Sequence, residues 1–105
     1  MLANFYTKTT VVYTINVTVD GVAPAFDVND VFTLIFKKNI NDTDAEAIIT
    51  ATGVKTDTDG EVVFTLSSSD TTYTGKYYYE IKWVSLNTEK IIESSTVTIL
   101  KRVFD

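Results

Sequence analysis

The run Asp70-Thr71-Thr72-Tyr73-Thr74-Gly75-Lys76-Tyr77-Tyr78-Tyr79-Glu80-Ile81-Lys82-Trp83 decides how the chain reads. A polar turn leads into Gly75. Beyond it Tyr77, Tyr79, Ile81 and Trp83 recur at every second position, which places them on one face of a strand. Tyr78, Glu80 and Lys82 occupy the other face. This is the heaviest apolar face in the chain, and the remaining segments are expected to cover it.

Working outward, a polar turn at residues 87–90 separates this strand (residues 76–85) from a last strand over residues 91–103. In the last strand Ser94, Thr96 and Thr98 alternate with Val97 and Ile99. Upstream, Ser67-Ser68-Ser69-Asp70-Thr71 reads as a polar crossing segment with one 3₁₀ turn. Residues 61–66 form a strand with Val62, Phe64 and Leu66 inward, preceded by the turn Asp57-Thr58-Asp59-Gly60. Residues 47–52 make a short strand in which Ile48 and Ile49 are both apolar, and residues 39–46 a polar loop. Residues 31–38 form a strand with Phe32, Leu34 and Phe36 inward. Residues 22–30 hold the single proline, Pro24, and read as a connection or edge segment. Residues 10–20 form the first strand, with Val11, Tyr13, Ile15, Val17 and Val19 on its apolar face, and Asp20-Gly21 turns the chain.

About seven strands separated by short turns are the pattern of an all-β sandwich. The length of 105 residues fits a single domain over residues 1–105, with a short N-terminal arm at residues 1–9. A chain of this size buries roughly two-thirds of its unfolded surface and needs no staples. It holds no cysteine, so the fold has no disulfide and no thiolate metal site.

Composition also narrows function. The absence of histidine and cysteine removes the commonest general base, the commonest transition-metal ligand and the thiol nucleophile. Ser67-Ser68-Ser69 has no histidine to activate it and sits in no Gly-x-Ser-x-Gly elbow. Catalysis is therefore not expected. Nine basic residues against fourteen acidic ones give a net charge of -5 and a pI near 4.5, which repels phosphate backbones, so nucleic acid is not an expected partner. No apolar run reaches the length of a membrane span, and a membrane is not expected as a partner either. The start of the chain lacks the pattern of a secretory signal, so, with Met1 as the initiator, synthesis in a cytoplasm without export by the usual route is expected. Two Asn-x-Thr triplets, at Asn16 and Asn41, are read as chance.

Three acidic clusters offer oxygen ligands: Asp27, Asn29 and Asp30; Asn41, Asp42, Asp44 and Glu46; and Asp57, Asp59 and Glu61. The last resembles the opening of an EF-hand loop, but the pattern breaks where a strand follows Gly60. Turn geometry accounts for these residues equally well, and no metal or cofactor is assigned. The aromatic residues outside the expected core are the candidate partner contacts: Phe5 and Tyr6 in the arm, Tyr73 and Tyr78 beside the central strand, and Phe104 in the tail. Amphipathic rings supply large contact area. Phe5, Tyr6 and Phe104 either reach a neighbour or tuck onto their own sheet, and the sequence leaves both readings open.

The segment Gly75-x-Tyr77-x-Tyr79 resembles the corner of immunoglobulin-like sandwiches, where a tyrosine stands two positions before the second core cysteine. Here Tyr79 stands at the cysteine position. A nearer likeness is to the small immunoglobulin-like modules of tailed-phage virions. It covers Phe32-Thr33-Leu34, then Thr56-Asp57-Thr58-Asp59-Gly60-Glu61-Val62-Val63-Phe64-Thr65-Leu66-Ser67, then Asp70-Thr71, Gly75 to Ile81, and a closing strand at residues 95–100. The resemblance implies an immunoglobulin-like β-sandwich without catalytic residues. It implies a structural protein of the virion, first of all an auxiliary protein decorating the capsid. Its partners would be the major capsid protein or tail proteins, together with copies of itself. Two further readings are a tail, baseplate or fibre adaptor and a bacterial adhesion or carbohydrate-binding domain.

Overall fold

The computed structural model describes residues 1–103, which form an all-β fold of two sheets. The strands are β1 (Phe5–Tyr6), β2 (Val11–Asn16), β3 (Asp30–Lys37), β4 (Ile49–Thr52), β5 (Val54–Lys55), β6 (Glu61–Leu66), β7 (Gly75–Ser85) and β8 (Thr88–Leu100). A single 3₁₀ turn, Asp44–Glu46, lies between β3 and β4. The larger sheet has the order β1-β8-β7-β3-β4 and the smaller the order β2-β6-β5. Neighbours are antiparallel except β1, which runs parallel to β8.

The period-two faces of β3, β6 and β7 meet in one core. Phe32, Leu34 and Phe36 of β3, Val62, Phe64 and Leu66 of β6, and Tyr77, Tyr79 and Ile81 of β7 are all buried. Full burial of side chains this large contributes roughly 1.5–3 kcal/mol each relative to exposure. Trp83 extends the row as a half-buried ring, stacked on Phe32 at 5.4 Å and met edge-on by Phe26 at 5.6 Å. Its indole N–H donates to Asp30 at 2.9 Å, which satisfies the one polar group that burying this ring brings inside.

Two sides of the sandwich are closed by different means. On one side the chain itself crosses from the larger sheet to the smaller between β4 and β5, through Gly53 alone. Gly53 N–H still donates to Phe32 O at 2.8 Å, continuing the β3–β4 ladder. A Cβ there would stand 2.5 Å from Val62 Cγ1 and 2.9 Å from Phe64 Cε1. Only a residue without a side chain lets the two sheets exchange a strand at that separation. On the other side β2 and β8 present strand edges with no covalent link between them. The N-terminal arm fills this seam: Leu2 and Phe5 are buried in the core, Phe5 lying 6.2 Å from Phe36.

The arm is fastened at its far end by Thr71, which is wholly buried. Thr71 O accepts from Thr7 Oγ1 and Lys8 N, both at 2.7 Å. Its hydroxyl accepts from Thr9 N at 3.0 Å and donates to Thr9 O at 2.7 Å.

Several expected boundaries shift. The first strand ends at Asn16, not at residue 20. Val17 N–H turns to Gly60 O at 2.7 Å, and Val19 and Val22 close a separate tight turn. In that turn Asp20 and Gly21 both take positive φ, 52° and 80°, the conformation that favours Asp-Gly. The apolar alternation therefore outruns the sheet, and Val19 and Val22 are exposed. The β7–β8 turn is Leu86–Asn87, one register step before the expected one, and β8 runs from Thr88 to Leu100. A β-bulge interrupts this hairpin: Ile81 pairs with Glu93 and Lys82 with Ile91, leaving Ile92 extra. The two-residue strands β1 and β5 are too short for a periodic signature.

Candidate interaction surfaces

The candidate aromatic residues separate by location. Phe5 belongs to the core, which corrects its reading as a partner contact: its ring packs inward, edge-on to Phe36. Tyr6, its neighbour in β1, faces outward and is 54% exposed. Tyr73 is 38% exposed and meets Tyr77 edge-on at 6.2 Å. Phe104 lies outside the described residues. Tyr78 lines a small hollow of about 50 Å³ on the outer face of the larger sheet, with Ile35, Lys37, Ile40, Glu80 and Ser94. It is half-buried, because the β3–β4 loop folds back over that face.

Ion pairs hold that loop down. Asp44 bridges Lys37 and Lys82, each at 2.8 Å, and Lys82 also reaches Glu89 at 2.8 Å. The two ammonium hydrogen bonds outweigh partial desolvation and hold the Asp44 carboxyl down at about 2. Hydrogen bonds to Asp44 and Glu89 raise the Lys82 ammonium above the ordinary lysine range. Folded Asp44 thus favours its charged form. Its contribution is present above the ordinary carboxylate range and is lost as pH falls through about 2. The carboxylate is more than half exposed, so the effect on stability is small.

The seam between β2 and β8 holds a polar clasp. Glu93 pairs with Ile81 and shares its inner face, in phase with Val97 and Ile99 along β8. There the carboxylate accepts from Tyr79 Oη at 2.7 Å and from Tyr13 Oη of the opposite sheet at 2.9 and 3.1 Å. The terminal ammonium of Met1 lies 3.7 Å away. Tyr79 Oη also accepts Leu2 N–H at 2.9 Å. Burial, then hydrogen bonding to the negative carboxylate, pushes the Tyr79 phenol up to about 12. The same causes raise Tyr13 still further. An inward-pointing charge and a bulge on one edge strand are devices that discourage random strand pairing.

The acidic clusters do not form cation cages: among the described residues no three acidic side chains converge as a ligand set. They serve the backbone instead. Asp30 Oδ2 accepts Asp27 N–H at 2.8 Å and Asp27 Oδ1 accepts Asn29 N–H at 2.8 Å. Burial pushes the Asp30 carboxyl upward, but hydrogen bonds from Asp27 N–H, Trp83 and Ser85, with Lys55 nearby, win and lower it. Asp70 accepts from Ser67 N–H at 3.0 Å and from its hydroxyl at 2.9 Å, so the serine run has a turn-forming role. Among the described residues no helix is long and apolar enough to cross a membrane.

The end of the β7–β8 hairpin was not legible as a site. Trp83, Ser85, Leu86, Thr88 and Lys90 line an open hollow of about 300 Å³ there, with the Lys90 ammonium 5.5 Å from the Trp83 ring. Leu86 is 73% exposed and holds φ at 53°, a conformation that suits glycine or asparagine. With this geometry in hand, no protein-family model, curated protein or solved structure matches the chain.

Proposed function

We propose that this chain is an immunoglobulin-like module serving as a non-enzymatic structural protein of a tailed-phage virion, bound to the capsid as an auxiliary protein. The observation that carries the reading is the strand order. Strands β8-β7-β3-β4 face β2-β6-β5, the arrangement in which variable-type immunoglobulin domains set strands G, F, C and C′ against B, E and D. Tyr77 adds support: its hydroxyl donates to Thr74 O, three residues upstream, at 2.8 Å, as a corner tyrosine does. The virion assignment rests on the sequence resemblance of residues 30–100 to phage modules. Function in such a module is surface recognition by edges and loop ends.

The test is electron microscopy of particles produced from the genome that carries this sequence, with and without the gene. Symmetric density on the shell, lost on deletion and restored by the purified protein, is the expected result. Density confined to the tail moves the assignment to a tail or baseplate adaptor. Absence from the particle sinks the virion reading.

A further inference from the structure

The two ends of the sandwich carry opposite charge around exposed apolar side chains. We propose that they bind each other, so that copies of this chain associate head to tail. This inference does not rest on the virion reading.

The ends are well separated. Strands rise roughly 3.3 Å per residue, so the thirteen residues of β8 account for the 42 Å long dimension of the molecule. One end is built from residues 17–29, residues 56–60 and the Leu86–Asn87 turn. Pairing of Asp30 with Ser85, the Val17–Gly60 hydrogen bond and Lys55 Nζ on the Asp27 and Asp30 carbonyls at 2.6 and 2.8 Å bring these loops together. None of the three loops contains a lysine or arginine, and the two cations that flank them, Lys55 and Lys90, are outnumbered by Asp20, Asp27, Asp57 and Asp59, all exposed there. Among them stand Val22, Val28 (87% exposed) and Leu86.

The opposite end gathers residues around the close of β8. Tyr6 pairs with Leu100 and Lys76 with Thr98, and Arg102 Nη1 reaches Lys8 O at 3.3 Å. Lys76, Lys101 and Arg102 have no ion-pair partner among the described residues. The apolar surface between them comes from Tyr6, Tyr73, Leu100 and Val103, the last 94% exposed. Of the acids nearby, Asp44 is offset by Lys37 and Lys82, whereas Asp70, hydrogen-bonded to Ser67, keeps its charge against the three cations.

Each end is thus an apolar centre with a charged surround, the anatomy of a protein interface, and the two surrounds are of opposite sign. A two-fold contact would set like charge against like. Joining unlike ends avoids this and propagates into rows of copies. Leu86 is consistent with such a contact. It holds a conformation unfavourable to leucine and gains no burial from its own core, but a second copy seated on this end would cover it.

Sedimentation velocity of the 105-residue protein tests the proposal. At about 20 mM salt, where screening is weak, the protein is expected to form concentration-dependent oligomers that dissolve at about 500 mM. The double reversals Asp57→Lys/Asp59→Lys and Lys76→Glu/Lys101→Glu are each expected to weaken association about tenfold or more, and mixing them to restore it. Leu86→Asn is expected to weaken it without disturbing the charges. Thermal melts of each variant check that folding is intact. A wild-type protein that stays monomeric at low salt overturns the proposal. Association that survives both reversals, or a mixture that fails to recover it, does the same.

Discussion

The phenol of Tyr79 donates to the Glu93 carboxylate at 2.7 Å while accepting the backbone N–H of Leu2 at 2.9 Å. One hydroxyl therefore ties the central strand, the edge strand and the N-terminal arm into a single unit. The free edges of β2 and β8 meet here, so this contact stands where a covalent crossing stands on the opposite side of the sandwich.

That contact makes stability sensitive to alkali. The folded Tyr79 phenol sits at about 12, above its ordinary value, so between pH 10 and 12 the folded state holds a proton that the unfolded state has released. The contribution is complete below pH 10 and is lost as pH rises through about 12. A shift of this size corresponds to roughly 2–3 kcal/mol. Urea melts across this range should show stability falling with pH. The slope should be shallower in Tyr79→Phe, and an identical slope in that variant would contradict the assignment.

The arm is a structural element. Removing the Phe5 ring opens a cavity against Phe36, and Phe5→Ala should destabilise the fold by about 3–5 kcal/mol. Deleting residues 1–8 should lower the melting temperature sharply. Tyr6→Ala, one position on and outward-facing, should stay within about 0.5 kcal/mol of wild type. Denaturant melts of the three proteins decide the matter, and equal effects for Phe5 and Tyr6 would show that the arm is undocked.

Gly53 is the point where a strand changes sheets. Gly53→Ala forces a methyl against Val62 and Phe64, both fully buried. Overpacking of this kind costs about 1–3 kcal/mol, or more where the backbone itself must move. The expected signature is a lower denaturant midpoint with an unchanged m-value, since the exposed surface hardly differs. A neutral effect would mean that the crossing is looser than the 2.5 Å approach requires.

Leu86 offers the opposite sign. Leucine at φ 53° costs about 1–2 kcal/mol relative to a residue that tolerates left-handed backbone. Leu86→Asn should therefore stabilise the isolated protein by about 1 kcal/mol, a rise in melting temperature of about 5 °C for a domain this size. Scanning calorimetry at high salt and low concentration separates this gain from any effect on association. A loss of stability would refute the strain argument.

How much was legible in the sequence follows from what periodicity encodes. The inward rows of β3, β6 and β7 were readable because alternate side chains of a strand point to opposite sides, whatever else the chain does. Tyr78 was correctly set on the outer face for the same reason, but its partial cover by the β3–β4 loop was not visible, since Asp44 lies far in sequence from Lys82. Glu93 looked like one more polar residue in a polar strand. It shares the inward phase of Val97 and Ile99, but its meeting with Tyr13 of the other sheet depends on which strand edges lie together. The two-residue strand β1 had no pattern to read at all.

By itself, then, the sequence determined an all-β chain, the buried faces of its main strands, an acidic surface, and the lack of thiol and imidazole chemistry. These are properties of composition and of neighbours along the chain. The tertiary structure decided that Phe5 is core and Tyr6 surface, that Glu93 closes the seam, and that the acidic loops gather at one end and Lys76, Lys101 and Arg102 at the other. Those outcomes depend on which strand edges remain open and which distant loops meet, and such relations between remote segments leave no trace in local alternation.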